Sequence, residues 1–185
     1  MEKRKEERNL LIVGAGIYGM VASEIAVEMG CFEKIDFVDD GKKIAVSGKT
    51  VVGTTKELVK FSKQYSDIVV AIGDPEKRLS ILKMIEEELS YKIVSLISPK
   101  AYISSSAKVE KGCIIEPMAV VHTNCVIGIG CIISAGAVIN HSSTCGEVVH
   151  VDCNATVEGF CTVPAGIKIF SGEVYRRNDT IEEER

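Results

Sequence analysis

No apolar stretch in this chain approaches the eighteen or so residues that a membrane-spanning helix needs. No two of its seven cysteines stand in a Cys-x-x-Cys pair, which argues against a zinc or redox motif. Histidine is scarce, with three in all. There is no excess of positive charge either. Twenty-two Lys and Arg stand against 26 Asp and Glu, a net charge of -4, which argues against wholesale nucleic-acid binding. Met1 to Arg8 is charged and no apolar signal core follows it. A cytoplasmic protein is expected, with neither a membrane nor a nucleic acid as partner.

What is present is a strict period of six. Ile97, Ile103, Val109, Ile115, Val121, Ile127, Ile133, Ile139, Cys145, Val151, Val157, Val163 and Ile169 form one unbroken register. Four residues after each comes a mostly small residue: Ala101, Ala107, Cys113, Ala119, Cys125, Cys131, Ala137, Ser143, Val149, Ala155, Cys161 and Ile167. Neither a helix nor a simple alternating strand repeats at six. Short fixed periods mean solenoids, and hexapeptides mean a β-helix of triangular coils. The aliphatic residue then fills the centre of each short strand, and the small one fits near a corner. Five cysteines fall in these two series, where they read as small buried apolar residues. Cys31 and Cys153 lie outside both.

Ahead of the repeats the chain alternates strand and helix, the pattern of a small parallel sheet. Asn9 to Val13 reads as a buried strand, followed by Gly14-Ala15-Gly16-Ile17-Tyr18-Gly19 and a helix ending near Gly30. Lys34 to Val38 is a second strand, closed by Asp39-Asp40. Thr54 to Gln64 is expected to be helical, with Leu58, Val59 and Phe61 inward. Asp67 to Ile72 is a third strand, ending at Gly73-Asp74-Pro75, and the next helix carries Leu79, Leu82, Ile85 and Leu89. Tyr91 to Ile97 is read as a strand leading into the repeat. The expected fold is an α/β Rossmann-like domain over residues 1–96, then a parallel β-helix over 97–185 with a charged tail that frays.

The Gly-x-Gly-x-x-Gly turn allows close backbone approach, and a helix N-terminus offers free N–H groups to a phosphate. With room for only half of a doubly wound fold, a mononucleotide or nucleotide-sugar diphosphate fits better than a dinucleotide. A turn that merely packs helix against strand is the alternative. Asp39, Asp40, Gly73 and Asp74 follow strand ends, where open α/β sheets hold ligands. Asp39 and Asp40 also fit a solvated turn.

All three histidines, His122, His141 and His150, fall in the repeat region at non-inward positions. His141 is third in its hexapeptide, at an outward corner; position alone favours a solvated corner histidine, although histidine is also the natural general base near neutral pH. The segment Ala137-Val138-Ile139-Asn140-His141, then His150, then Gly159, resembles one family. So does the order of the whole chain: the glycine turn, Phe37-Val38-Asp39-Asp40, Ala71-Ile72-Gly73-Asp74 with Arg78 behind, and Leu96-Ile97-Ser98-Pro99 opening the hexapeptides. The family is the bacterial sugar acetyltransferases that include the sialic acid O-acetyltransferases and the UDP-4-amino-sugar N-acetyltransferases.

The resemblance implies a left-handed β-helix, a homotrimer with active sites between subunits, and acetyl-CoA lying along the coils. It implies that Gly14, Gly16, Tyr18, Gly19, Asp39, Asp40, Gly73 and Asp74 surround the nucleotide-sugar acceptor. His141 is expected as general base with Ser142 beside it, and His150 and Gly159 by the acetyl-CoA thioester. No metal is expected. Three departures stand out. Ser142 replaces the usual acid, leaving Glu147 or Glu158 as substitutes. Tyr18 replaces a common histidine. The repeat ends soon after Gly166, about one coil early. Two alternatives stand beside this reading. A zinc hydratase of the γ-carbonic anhydrase type needs three convergent histidines at spacings this chain lacks. An inactive nucleotide-binding scaffold of the same fold remains open.

Overall fold

The computed structural model describes residues 8–45 and 50–177. The expectations for Met1 to Glu7 and for the end of the tail, 178–185, lie outside the described residues.

The N-terminal half is a five-stranded, all-parallel sheet flanked by helices. In chain order it comprises β1 (Asn9–Val13), α1 (Ile17–Met29), β2 (Lys34–Val38), β3 (Val51–Gly53), α2 (Leu58–Phe61), β4 (Asp67–Val70), α3 (Pro75–Glu88) and β5 (Lys92–Ile93), with strand order β3-β2-β1-β4-β5. Its central strand is an unbroken apolar run because both faces are covered, as parallel sheets require. Leu10 and Ile12 pack in one apolar cluster with Ala22, Ile25 and Ala26 of α1. Leu11 and Val13 pack in another with Leu58, Ile81, Leu82 and Ile85. The first helix ends at Gly30, whose left-handed backbone (φ 61°) returns its N–H to Val27. The third begins with Asp74 accepting the Lys77 N–H and with Pro75 in its first turn.

The second half is a left-handed parallel β-helix of two-residue strands, in which residues eighteen apart are paired. Its first face stacks Leu96–Ile97, Ile114–Ile115, Ile132–Ile133, His150–Val151 and Lys168–Ile169. The second stacks Tyr102–Ile103, Val120–Val121, Val138–Ile139, Thr156–Val157 and Val174–Tyr175; the third stacks Lys108–Val109, Val126–Ile127, Thr144–Cys145 and Thr162–Val163. The six-residue register supplies the second residue of each strand, and these residues line the inner core with the small series. The five cysteines of the two series are buried and free.

The two halves share apolar packing. One cluster runs from Leu10 and Ile12 through α1 to Leu96, Ile114 and Ile132 on the first face. Lys100 pairs with Glu28 of α1 at 2.6 Å beside that contact. Among the described residues no helix is long and apolar enough to cross a membrane.

Several elements differ from expectation. Thr54 to Gln64 forms only a 3₁₀ turn, Thr55–Glu57, and the one-turn α2. A reciprocal Thr54–Glu57 cap starts it, but Leu58 alone is buried and Val59 is 63% exposed. Strand β3 was not anticipated; it is a short edge strand with a register shift against β2. Tyr91 to Ile97 is not one strand. The chain leaves the sheet after Ile93 and enters the first face at Leu96, with the Ser95 hydroxyl donating to Glu110 O at 2.7 Å. The repeat also runs further than expected, because Tyr175 continues the inward register six residues past Ile169 and packs on the inner core.

Candidate active site

The glycine turn divides into positions that packing demands and one that it does not. Gly14 has φ 105°, and a Cβ there would lie 2.7 Å from the Ala71 carbonyl oxygen. A Cβ on Gly19 would lie 2.0 Å from the Gly14 oxygen. Gly16 is different. A Cβ there would meet only the Lys42 ammonium, at 3.9 Å. The first helix starts immediately after Gly16, with no side-chain cap and no acidic residue in its first turn. Its end N–H groups and Lys42 thus bound an open, electropositive space.

The aspartates of this edge are engaged with backbone. Asp39 accepts from Ala15 N at 2.9 Å, from Gly41 N at 2.9 Å and from Lys42 N at 2.8 Å. Burial alone would raise the Asp39 carboxyl, but the three N–H donors and the Lys42 charge outweigh it and hold it below the usual range. Those bonds also bring Lys42 over Gly16. Asp40 accepts from Thr55 N at 2.8 Å and Thr55 Oγ1 at 2.9 Å, and Asp74 caps the third helix. Gly73 closes the edge, since a Cβ there would lie 2.9 Å from the Tyr18 ring.

Tyr18 leads into a buried polar seam between the two halves. Its ring meets His150 edge-on, with centroids 5.6 Å apart. His150 begins a strand of the first face and points outward from the β-helix, yet it is 3% exposed because the N-terminal domain covers it. Its Nε2 lies 3.1 Å from Ser134 Oγ and 3.9 Å from Asp152, which itself pairs with Lys168 at 2.9 Å. Burial, with help from Lys168 and Arg78, pushes the imidazole down to about 4 despite Asp152, so it is neutral near pH 7. Glu116 sits in the same seam and accepts from Ala135 N at 3.0 Å; burial raises its carboxyl above the usual range.

His141 stands elsewhere. It lies on the edge between the second and third faces, opposite the first face where the N-terminal domain docks. Its N–H is accepted by Asn140 Oδ1 at 2.8 Å. Its ring is half-buried against Gly159, where a Cβ would approach the ring atoms to 2.9 Å. Phe160 packs edge-on at 5.0 Å and His122 lies at 6.4 Å. Glycine at 159 is therefore what lets the imidazole lie against backbone.

The protomer thus brings His141 and Gly159 together and puts His150 in a different place, under the N-terminal domain beside Tyr18. Hexapeptide phase gives a side chain's direction but not what covers it. Ser142 takes the left-handed corner conformation (φ 59°), and its hydroxyl makes no hydrogen bond to the ring. Neither acid expected to substitute reaches the imidazole. Glu158 lies 3.9 Å from Arg176, and Glu147 sits on another edge of the prism. Packing on Gly159 and Phe160 orients the ring instead. Lys42, Glu116 and Phe160 were not anticipated. Lys42 had a signal, an Asp three residues earlier able to cap its N–H; the other two had none beyond position.

Comparison with known proteins gives the same two-part fold. Residues 9–85 match the PglD N-terminal domain, and residues 95–141 match the bacterial transferase hexapeptide (six repeats). No curated protein matches the chain. Among solved structures, an asparagine-for-histidine mutant of perosamine N-acetyltransferase from Caulobacter crescentus, in complex with CoA and GDP-perosamine, is similar in fold. It has a TM-score of 0.79 and 24% identity over 91% of this chain and 89% of that one. The acetyltransferase domain of PglB from Neisseria gonorrhoeae, in complex with acetyl coenzyme A, has a TM-score of 0.71 and 27% identity. The match covers 92% of this chain and 91% of that one.

Two outcomes are expected. In denaturant titrations Gly19→Ala should cost a few kcal/mol, because backbone must move, while Gly16→Ala should cost less than about 1 kcal/mol; equal costs would refute the division of the glycines. Stability should also fall as pH drops from about 6.5 towards 4, where the unfolded chain takes up a proton at His150 and the folded chain does not. His150→Gln should flatten that slope, and parallel wild-type and variant curves would show that His150 is not its source.

Proposed function

We propose that the chain is a hexapeptide-repeat sugar acetyltransferase that moves the acetyl group of acetyl-CoA to an amine or hydroxyl of a nucleotide-linked sugar, most simply an amino sugar. The observation that carries this is the imidazole of His141 lying against Gly159, free of any carboxylate hydrogen bond among the described residues. Such a ring can accept a proton from an incoming nucleophile and return it to a leaving thiolate.

The residues divide the work. The diphosphate of the acceptor sits at the N-terminus of α1, over Gly16 and beside Lys42, where N–H groups and an ammonium converge. Asp39 and Asp40 build that site by fixing its loops rather than by touching phosphate. The sugar extends past Gly73 towards Tyr18 and the neutral His150. At His141 the acceptor nitrogen or oxygen attacks the thioester carbonyl as the imidazole takes its proton. The Gly159 N–H has no acceptor among the described residues and is available to the oxyanion. Collapse of the tetrahedral intermediate breaks the C–S bond, and the imidazolium protonates the departing sulfur. No step needs a metal.

The reading includes a homotrimer. Within one protomer the acceptor edge and His141 lie on opposite sides of the prism, so a second copy is what brings them together. The outer side of the second face is mostly apolar, stacking Tyr102, Val120, Val138, Thr156 and Val174, and Met118 and Phe160 are exposed at its two edges. Such a face fits a neighbouring subunit. The reading also places the protein in the cytoplasm, where acetyl-CoA and nucleotide sugars meet.

A panel of UDP- and GDP-linked amino sugars, incubated with acetyl-CoA and followed by thiol release, tests the activity. His141→Ala should lower turnover by about 10²–10⁴ while leaving acetyl-CoA affinity in place; wild-type turnover in the variant would remove His141 from the mechanism. Val138→Arg should convert a trimer, seen by sedimentation, into monomers that bind nucleoside diphosphate but do not transfer acetyl. A monomeric wild type, or active monomers, would refute the shared site.

A further inference from the structure

Arg78 is fully buried and pairs with no carboxylate among the described residues. Its guanidinium instead spans the two halves of the molecule. On one side Nη1 donates to Ile72 O at 2.6 Å and Gly73 O at 2.9 Å, just beyond the end of β4. On the other, Nε donates to Gly130 O at 2.8 Å and Nη2 to Val148 O at 2.7 Å, on successive coils of the β-helix. Four carbonyls from three segments converge on one planar fork. Only arginine has donors enough, in fixed directions, to satisfy them.

The β-helix side of this contact is strained. Gly112, Gly130, Val148 and Gly166 occupy equivalent corners on one edge, and all have positive φ. Three are glycine. Val148, at φ 51°, is a β-branched residue in a conformation such residues avoid. Its side chain is buried in the cluster of Leu82, Ile81 and Ile85, and Gly130 needs its missing Cβ because one there would lie 2.5 Å from Leu82. So the third helix presses on this edge while Arg78 grips the Val148 carbonyl. Two residues further on is His150, against Tyr18. The other end of the grip is Gly73, which also packs on Tyr18.

We infer that Arg78 is a positioning residue: it locks the acceptor-binding edge at Ile72 and Gly73 onto the β-helix corner that carries Val148 and His150, and acetyl transfer depends on that register. The inference rests on the proposed binding of the acceptor at this edge. Arg78 touches no reacting atom. It sets where the sugar lies after the nucleotide is bound, and a displacement near 1 Å in such a site can cost about 10²-fold in rate.

The test is Arg78→Lys in the full chain, which keeps the charge and stem but not the fork, with Arg78→Met beside it. Lys is the variant to read if Met does not fold. For Arg78→Lys the affinities for UDP or GDP and for acetyl-CoA should stay within about threefold, while kcat falls about 10–100-fold. Hydrogen exchange should quicken in the segments around Gly73, Gly130 and Val148 and stay unchanged along the second and third faces. Wild-type kcat in Arg78→Lys overturns the inference. So does a kcat loss matched by an equal loss of nucleotide affinity, which marks a general structural role. If the wild type transfers acetyl to no nucleotide sugar, the acetyltransfer reading fails. The lock is then judged on exchange alone, and unchanged exchange in the variant overturns it.

Discussion

The constraint that governs this molecule is closure of an eighteen-residue coil into a triangle. Each strand contributes one inward side chain, and each corner must turn the chain sharply. The described residues meet this with a left-handed backbone at corner after corner, by glycine at Gly112, Gly130, Gly136, Gly166 and Gly172, and by other residues at Met118, Asn124, Ser142, Val148, Asn154 and Phe160. For an L-residue that conformation costs roughly 1–2 kcal/mol. The cost is offset locally, because these corner N–H groups donate to the coil below, as Ser142 does to Thr123 O and Phe160 to His141 O. Three of these six non-glycine corners stand where the functional reading needs side chains. Ser142 follows His141, Phe160 braces its ring, and Val148 faces Arg78.

Two histidines on one scaffold illustrate how burial assigns chemistry. His150 is enclosed, flanked by Lys168 and Arg78, and held neutral, so it can exchange hydrogen bonds with Ser134 but resists taking a proton near neutral pH. His141 stands at an open edge, half-buried against Gly159 and Phe160, with no carboxylate bonded to its ring among the described residues. The proposed base is the accessible ring of the two, as proton exchange with a substrate requires. The residue types are the same; the covering domain makes the difference.

The β-helix was legible because its period is geometric: one residue in six must point inward, and the chain states that rule a dozen times. The sheet was legible for a related reason, since strands buried on both faces carry continuous apolar runs. What escaped depends on contacts between distant segments. The outward phase of His150 was readable, but not the helix that buries it. Asp39, Asp40 and Asp74 follow strand ends as expected, and the local bonds of Asp39 to Gly41 and Lys42 and of Asp74 to Lys77 fit their spacing, but the bonds of Asp39 to Ala15 N and of Asp40 to Thr55 N join distant segments, which spacing does not encode. Val59 looked inward on a helical wheel, but α2 is one turn long and has no second side to cover. Ser142 invited a hydrogen bond to its neighbour, and the left-handed corner denies it. Arg78 was visible as a motif residue, while its four carbonyl partners come from segments up to seventy positions away.

A division of labour follows from the topology. The N-terminal sheet packs against the first face, and the corner with His141 lies across the prism from it. On the proposed reading, a reaction using the acceptor edge and His141 joins surfaces of different copies. Rigidity within each copy then has value, because an error in how the sheet sits on its own β-helix would be carried across to the neighbour's imidazole. The seam answers this with a continuous apolar cluster, an exposed ion pair at Lys100 and Glu28, and a buried guanidinium. The first two oppose separation but tolerate sliding, since apolar contact is not directional and an exposed ion pair is weak. The guanidinium, with four directed bonds, is the element able to set the register.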